Sequence, residues 1–303
     1  MKIEDFAEMV KDGVIKRLGE GAHVSVHRVN KNNGVVYTGL EVHREGLNLS
    51  PLVYLDIPYE NFRCKKTTLP ETVDYVVKTA GDKTQQVDMR LFLNYASIEG
   101  NIVCSLINTE RNAELLEDLA HKEFLDLSVV FQCMLASDVL GMTYVMIHNV
   151  HLKLWGVTVD DLFCAAEKNM SWLMGYELKS MKDVLLEIIE SEQPEEVDYD
   201  AYMAAIEGCI PIYVLSNRYR INGAACILYP TLLEDICDSL QGSFYIIPSS
   251  VHEVLILPSD NTDDSIKIRE MIKEVNDTQI AAEEILSYSL YFYDREGNRL
   301  HIV

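Results

Sequence analysis

Residues 244–258 read FYIIPSSVHEVLILP and contain two short apolar runs, Phe244–Ile247 and Glu253–Leu257, each followed by a proline. Runs of this length between turn residues are typical of buried strands. On either side of them, apolar residues recur at spacings of three and four over 232–240 and 268–275, which predicts two helices. The C-terminal part of the chain is therefore predicted to place two adjacent strands between helices.

The N-terminal part shows the same two kinds of pattern. Apolar residues of 3–18 form one helical stripe, so this segment is predicted to be a helix that docks by one face. The alternating segments 22–29 and 35–42 predict a β-hairpin, since Asn33-Gly34 suits a tight turn. Thr158 followed by Asp161 predicts a capped helix start. Further strands are predicted at 52–56, 125–135, 139–150, 211–215, 285–293 and 299–303.

This order of elements predicts an α+β fold with mixed or antiparallel sheets, flanking helices and two lobes. Residues 183–200 contain eight acidic residues, no Lys or Arg, and a proline, so we interpret them as an acidic linker. A solvated helix end and loop is a simpler interpretation of this stretch than an acidic docking peptide. The predicted domains are an N-terminal α+β lobe, 1–182, and a C-terminal α/β lobe, 201–303.

The chain of 303 residues carries a formal net charge of −22, from 48 acidic and 26 basic residues. A surface this negative repels phosphate backbones, and the short basic run 63–66 is too small to offset it, so direct nucleic-acid binding is not expected. The acidity is explained by solubility, by recruitment of a basic partner or by imitation of DNA.

Location is predicted from what the sequence lacks. Seven cysteines without a C-x-x-C pair are expected to be reduced and mostly buried. The N-terminus has no signal-peptide pattern, and no apolar stretch approaches the roughly 18 residues of a membrane span. We therefore expect a cytoplasmic protein that does not enter membranes.

Standard cofactor motifs are missing from the sequence. It has no glycine-rich dinucleotide motif, no phosphate-binding P-loop and no G-x-S-x-G elbow, so no cofactor is predicted. His148 and His151 would share one face of a helix, but a zinc site needs three or four protein ligands. No metal is predicted either.

Residues 248–253, PSSVHE, form the densest group of reactive side chains. The catalytic hypothesis makes Ser249 or Ser250 a nucleophile, His252 its base and Glu253 or a distant acid the orienting carboxylate. Alternation along an extended segment would place Ser250 with His252 and send Glu253 to the other face. The structural hypothesis, in which the serines satisfy turn amides and His252 is hydrogen-bonded at a strand start, is favoured.

A second polar group lies at 106–112, LINTERN. Asn108, Glu110 and Asn112 could bind a ligand through paired donors and acceptors. They also suit the start of a helix, where such side chains satisfy free backbone amides, and this capping interpretation is favoured.

Several stretches together resemble an uncharacterised bacterial family, domain of unknown function 5688. The resemblance spans nearly the whole chain, with the motifs in the expected order. They are LINTERN (106–112), FLDL (124–127), LWGV (154–157), LYP (228–230), PSSVHEV (248–254) and YDR (293–295). It implies a bacterial, cytoplasmic protein that forms one family unit, without an assigned activity.

Three functional hypotheses follow. The leading one is a non-catalytic interaction or regulatory protein with an unknown protein partner. The second is a hydrolase or transferase with a Ser/His/carboxylate site at 249–253. The third is an acidic nucleic-acid mimic, which would need carboxylates spaced like phosphates along one exposed face.

Overall fold

A computed structural model describes residues 1–19, 21–44, 50–81, 90–138, 141–192, 211–261 and 265–303. The fold is α+β, as predicted: three antiparallel sheets are flanked by helices. Contacts within the chain divide it into two compact units. The first comprises residues 1–92 with 137–142, and the second comprises 93–136 with 143–303.

The first unit is a three-stranded sheet with helices. Helix α1 (Ile3–Leu18) is followed by strands β1 (Ala22–Asn30), β2 (Val36–Arg44) and β3 (Leu52–Tyr54). Strands β1 and β2 form the predicted hairpin, and Asn33 and Gly34 take positive φ angles of 59° and 69° in its turn. These angles are accessible to Asn and Gly at low cost.

Helices α2 (Asp56–Arg63) and α3 (Leu69–Gly81) complete the first unit. The predicted stripe of α1 is its buried face, and the Phe6 ring packs against the rings of Tyr59 and Phe62. Apolar burial of this kind is the main source of stability for such a layer. The core also contains Val10, Val14, Val24, Leu40, Val42, Val53, Leu55, Val73 and Val76.

The second unit begins with most of a four-stranded sheet and its helices. The strand order is β4–β6–β5, with β7 paired to β6. The strands are β4 (Ile102–Asn108), β5 (His121–Phe124), β6 (Leu127–Asp138) and β7 (Gly141–Met146). The helices are α4 (Tyr95–Ile98), α5 (Ala113–Leu116), α6 (Asn149–Trp155) and α7 (Val159–Leu173). Thr158 and Asp161 form the predicted capping box of α7, with hydrogen bonds of 2.7 to 3.2 Å.

A six-stranded antiparallel sheet occupies the rest of the second unit, in the order β13–β12–β10–β11–β9–β8. The strands are β8 (Glu177–Ser180), β9 (Tyr213–Ser216), β10 (Phe244–Ile247), β11 (Val254–Pro258), β12 (Tyr291–Asp294) and β13 (Arg299–Ile302). The helices are α8 (Met181–Glu192), α9 (Leu232–Leu240) and α10 (Ser265–Thr278). Strands β10 and β11 are the two apolar runs of residues 244–258, and α9 and α10 are the predicted helices beside them.

The predicted acidic linker overlaps α8 at residues 183–192, and its residues 193–200 lie outside the described part of the chain. Strand β8 precedes this segment and pairs with β9, which follows it. One sheet therefore receives strands from both predicted lobes. The division into lobes 1–182 and 201–303 stays a prediction.

Two predicted strands have different bounds. Residues 285–290 form no strand: Asn108 and Asn276 donate their side-chain amides to the carbonyls of Leu286 and Ser287, at 3.2 and 2.9 Å. Such side-chain bonds replace the ladder of a sheet. The strand predicted over 139–150 ends at Met146, and helix α6 begins at Asn149, where the His148 backbone N–H donates to His151 Nδ1 at 2.9 Å.

Candidate functional site

The Ser250 side chain is bound within its own turn. Its hydroxyl donates a 2.8 Å hydrogen bond to Glu253 Oε1, and its Oγ accepts the His252 backbone N–H at 3.0 Å. Only 3% of Ser250 is exposed. The prediction that Glu253 points away from Ser250 is wrong, because residues 248–253 form a turn and not an extended strand. The hydroxyl proton is directed to a carboxylate.

The His252 imidazole is held by two other segments. Its Nδ1 accepts the backbone N–H of Asn222 at 3.2 Å, and its Nε2 lies 3.6 Å from Glu284 Oε1. Because Nδ1 is an acceptor, the neutral ring carries its proton on Nε2, on the side of Glu284. Both nitrogens therefore face groups other than the Ser250 hydroxyl.

The last residue of strand β9, Ser216, is hydrogen-bonded to this turn. The Ser216 hydroxyl donates a 2.7 Å hydrogen bond to the His252 carbonyl. Gly223 lies directly against both groups, and a Cβ atom there would overlap Ser216 Oγ and the His252 carbonyl oxygen. Absence of a side chain at Gly223 is what permits this close approach.

Glu253 and Ser249 face a cleft of about 330 Å³ on the six-stranded sheet. Lys179 pairs with Val214 and Val214 pairs with Leu255, so these three side chains share one face of β8, β9 and β11. Met181 and Val184, in the first turn of α8, also line the cleft. The lining residues are Glu177, Lys179, Met181, Val184, Val214, Ser216, Arg220, Ser249, Glu253 and Leu255.

The two cations of the cleft are paired to carboxylates. Lys179 Nζ lies 2.7 Å from Glu187 and 3.2 Å from Glu177, and an Arg220 nitrogen lies 2.8 Å from Glu187. The hydrogen bond with Glu187, followed by that with Glu177, raises the pKa of Lys179. The hydrogen bond from Lys179, followed by that from Arg220, lowers the pKa of Glu187. These ion pairs are exposed to solvent, so they contribute little to the stability of the fold. They fix the positions of the Lys179 and Arg220 side chains beside the cleft.

The second predicted group closes a turn after β4. Asn108 Oδ1 accepts the Arg111 backbone N–H at 3.0 Å, and the buried Asn112 donates its side-chain amide to the Asn108 carbonyl at 2.8 Å. Glu110 is exposed on this turn. None of the three lines the cleft described above. Of the three side chains, only that of Asn108 satisfies a backbone amide of the described ranges as the capping interpretation expects, and the Asn112 side chain makes no capping bond to helix α5.

A polar cluster that the sequence patterns did not reveal lies at Asp126. Its carboxylate accepts hydrogen bonds from the hydroxyls of Ser287, Ser289 and Tyr291, at 2.5, 2.9 and 2.6 Å. Burial, followed by the charge of Asp126, raises the pKa of Tyr291. The three hydroxyl residues stand at every second position, 287, 289 and 291, which could have indicated from sequence that they share one face. This spacing points to no acceptor, however, because Asp126 is 161 to 165 positions away in sequence.

The described ranges contain neither a candidate metal site nor a candidate membrane span. Within them, no three His, Cys, Asp or Glu side chains are grouped so that they could hold a metal ion. Among the helices of these ranges, none combines the length and the apolar character needed to cross a bilayer.

Comparison with known proteins identifies the family. The model of a family of unknown function, DUF5688, matches residues 3–295, nearly the whole chain, so the protein belongs to this family. No curated protein and no solved structure matches the chain.

Proposed function

We propose that this member of the family is a non-catalytic interaction or regulatory protein of the bacterial cytoplasm, and that it binds a basic protein partner. The observation that carries the proposal is the bonding of Ser250 and His252. The Ser250 hydroxyl donates to Glu253, and the His252 Nδ1 accepts the backbone N–H of Asn222. Both side chains therefore hold the 248–253 segment in place. A base that activates a serine nucleophile has a ring nitrogen free to approach the hydroxyl, and neither nitrogen of His252 faces Ser250.

The charge of the chain supports the choice of a basic partner. Of the net charge of −22, residues 161–303 contribute −16, from 26 acidic and 10 basic residues. A field of this sign attracts basic proteins and repels acidic ones over distances near the Debye length, about 10 Å at moderate salt.

The test is recovery and reconstitution of the complex. The tagged full chain is crosslinked in native lysate at about 0.05 and 0.15 M salt, a range over which surface charges are increasingly screened. The partner is identified by mass spectrometry, purified and remixed. We expect a stoichiometric complex with a basic protein. An unrelated protein of equal net charge is the control for nonspecific capture, and recovery of nothing beyond this control contradicts the proposal.

The same experiment separates the acidic nucleic-acid mimic from a general interaction protein. A mimic occupies the DNA-binding surface of its partner, so duplex DNA must compete with it for the purified partner. Competition by DNA supports mimicry, and a complex that forms equally well on a DNA-loaded partner excludes it.

The hydrolase or transferase hypothesis is retained as a second candidate because of Ser249. This side chain lines the cleft beside Glu253, and its hydroxyl makes no hydrogen bond to the described part of the chain. A fluorophosphonate probe labels activated serines. Labelling at Ser249 that is lost in Ser249→Ala and in His252→Ala would establish this candidate, whereas an unlabelled protein argues for the binding function.

A further inference from the structure

The carboxylates around the cleft on β8, β9 and β11 are unequally paired with cations. Glu177 and Glu187 are neutralised by Lys179 and Arg220, which lie within 3.2 Å. Glu253 has no described cation within ion-pair distance, and its Oε1 accepts the Ser250 hydroxyl. Counted together with Glu187, which contacts both cations but does not itself line the cleft, three carboxylates stand against two cations, and Glu253 is the carboxylate without a described counterion.

The surroundings of Glu253 combine an apolar wall with a further polar group. Met181, Val184, Val214 and Leu255 line the cleft and are half-buried. Ser249 also faces the cleft, and its hydroxyl has no hydrogen-bond partner among the residues described. A half-buried carboxylate of this kind is stabilised by a ligand cation, because a charge-assisted hydrogen bond strengthens as water is excluded.

We propose that this cleft binds the side chain of a lysine on the basic partner. The ammonium group would lie between Glu253 and Ser249, with the aliphatic stem against Met181, Val184, Val214 and Leu255. The inference rests on the proposed function, and it names the group of the partner that is recognised. The volume of about 330 Å³ is at the small end of ligand sites, which suits one side chain.

Lysine is favoured over arginine by the geometry of the acceptor. Ser250 occupies one carboxylate oxygen of Glu253 at 2.8 Å, which leaves the other for the ligand. A guanidinium group binds carboxylates best through two parallel hydrogen bonds, whereas an ammonium group needs a single acceptor and can donate to a hydroxyl besides. Glu253 and Ser249 supply such a set.

The first experiment uses the full chain with Nα-acetyl-lysine methylamide as the probe. Methyl resonances of Met181, Val184, Val214 and Leu255 are followed by NMR at about 0.15 M salt, where long-range attraction is largely screened. We expect saturable shifts at these methyls with the lysine probe, and none with the uncharged norleucine analogue. Equal shifts with the norleucine analogue, or tighter binding of the arginine analogue, would overturn the inference.

Two variants test the polar groups. Glu253→Gln keeps an acceptor for Ser250 and removes the charge, so binding of the lysine probe should weaken at least about tenfold. Ser249→Ala should weaken it between about two- and tenfold. Glu274→Gln, at an exposed position of α10, is the matched control and should leave binding unchanged. If Glu253→Gln and Glu274→Gln weaken binding equally, the attraction is nonspecific and the inference fails.

The purified partner distinguishes this inference from the proposed function. If a basic partner binds but Glu253→Gln leaves its affinity unchanged, the lysine site is wrong and the interaction function stands. If the cleft binds the lysine probe and free cadaverine equally, while no partner is recovered, the ligand is a small amine and the proposed function fails.

Discussion

At the scale of single residues, polar side chains of this protein mainly complete the hydrogen bonding of turns. Ser250 bonds to Glu253, and Asn108 bonds to the backbone of Arg111. Buried backbone groups outside helices and sheets need such partners. The same residue types were candidates for catalysis from sequence, because a local pattern of Ser, His, Asn and Glu does not distinguish the two roles.

The Asp126 cluster leads to a stability prediction. The carboxylate accepts three hydroxyl hydrogen bonds, whereas an Asn side chain presents an NH2 group that faces a donor. Asp126→Asn should lower the free energy of unfolding by about 1–3 kcal/mol, measured by urea denaturation. Asp277→Asn, which keeps one oxygen acceptor for the Tyr288 hydroxyl, is the control. Equal losses in both variants would contradict the importance of the cluster.

His151 leads to a pH prediction. Its Nδ1 accepts the His148 backbone N–H at 2.9 Å, and burial, followed by the nearby His148, lowers the pKa of His151. The folded state therefore binds this proton less readily than the unfolded state. The stabilising contribution is present above the unfolded pKa, about 6.5, and is lost as the pH falls through the folded pKa. An NMR titration should give a midpoint below 6.5.

A variant tests the second cause of that shift. His148→Gln removes the neighbouring titratable ring, so the midpoint of His151 should rise toward the ordinary histidine value. A midpoint at or above 6.5 in the unaltered protein would contradict the expected burial of the ring.

At the scale of secondary-structure elements, the cleft exists because β8, β9 and β11 are neighbours in one sheet. The cross-strand register aligns Lys179, Val214 and Leu255 on one face. Ser249 and Glu253 belong to the turn between β10 and β11, next to that face. The shape of this turn therefore decides whether Glu253 reaches the cleft.

Gly223 is the position at which this arrangement should be most sensitive. A Cβ atom would overlap Ser216 Oγ and the His252 carbonyl and would come within 2.7 Å of the Asn217 amide nitrogen. Gly223→Ala should lower the free energy of unfolding by about 3 kcal/mol and weaken any ligand binding in the cleft. At Gly100 an added Cβ meets nothing within 4 Å, so Gly100→Ala should change stability by less than about 0.5 kcal/mol. Similar effects of both substitutions would show that the close packing at Gly223 is unimportant.

At the scale of the whole molecule, the net charge of −22 should govern how fast a basic partner associates. Long-range attraction raises association rates and is screened by salt. Raising NaCl from about 0.05 to 0.5 M should slow association with the purified partner at least tenfold, measured by stopped-flow fluorescence, while dissociation changes less. Sucrose at matched viscosity is the control. An association rate that is independent of salt would remove the electrostatic argument for a basic partner.

The sequence by itself determined the local elements of this protein. Helix α1, the β1–β2 hairpin, the Thr158 capping box and the strands β10 and β11 all follow from periodicity or from turn and cap residues within a few positions of each other. Such signals act over short distances along the chain, so one sequence is sufficient to detect them.

Tertiary structure alone decided which polar groups meet. Asp126 finds its three hydroxyl partners more than 160 positions away, and the strand predicted over 285–293 begins only at Tyr291, the last of these partners. Glu253 reaches the cleft because the turn around Ser250 bends it there, beside side chains from β8 and β9. Periodicity encodes the face on which a residue lies, but it carries no information about the distant segment that packs against that face.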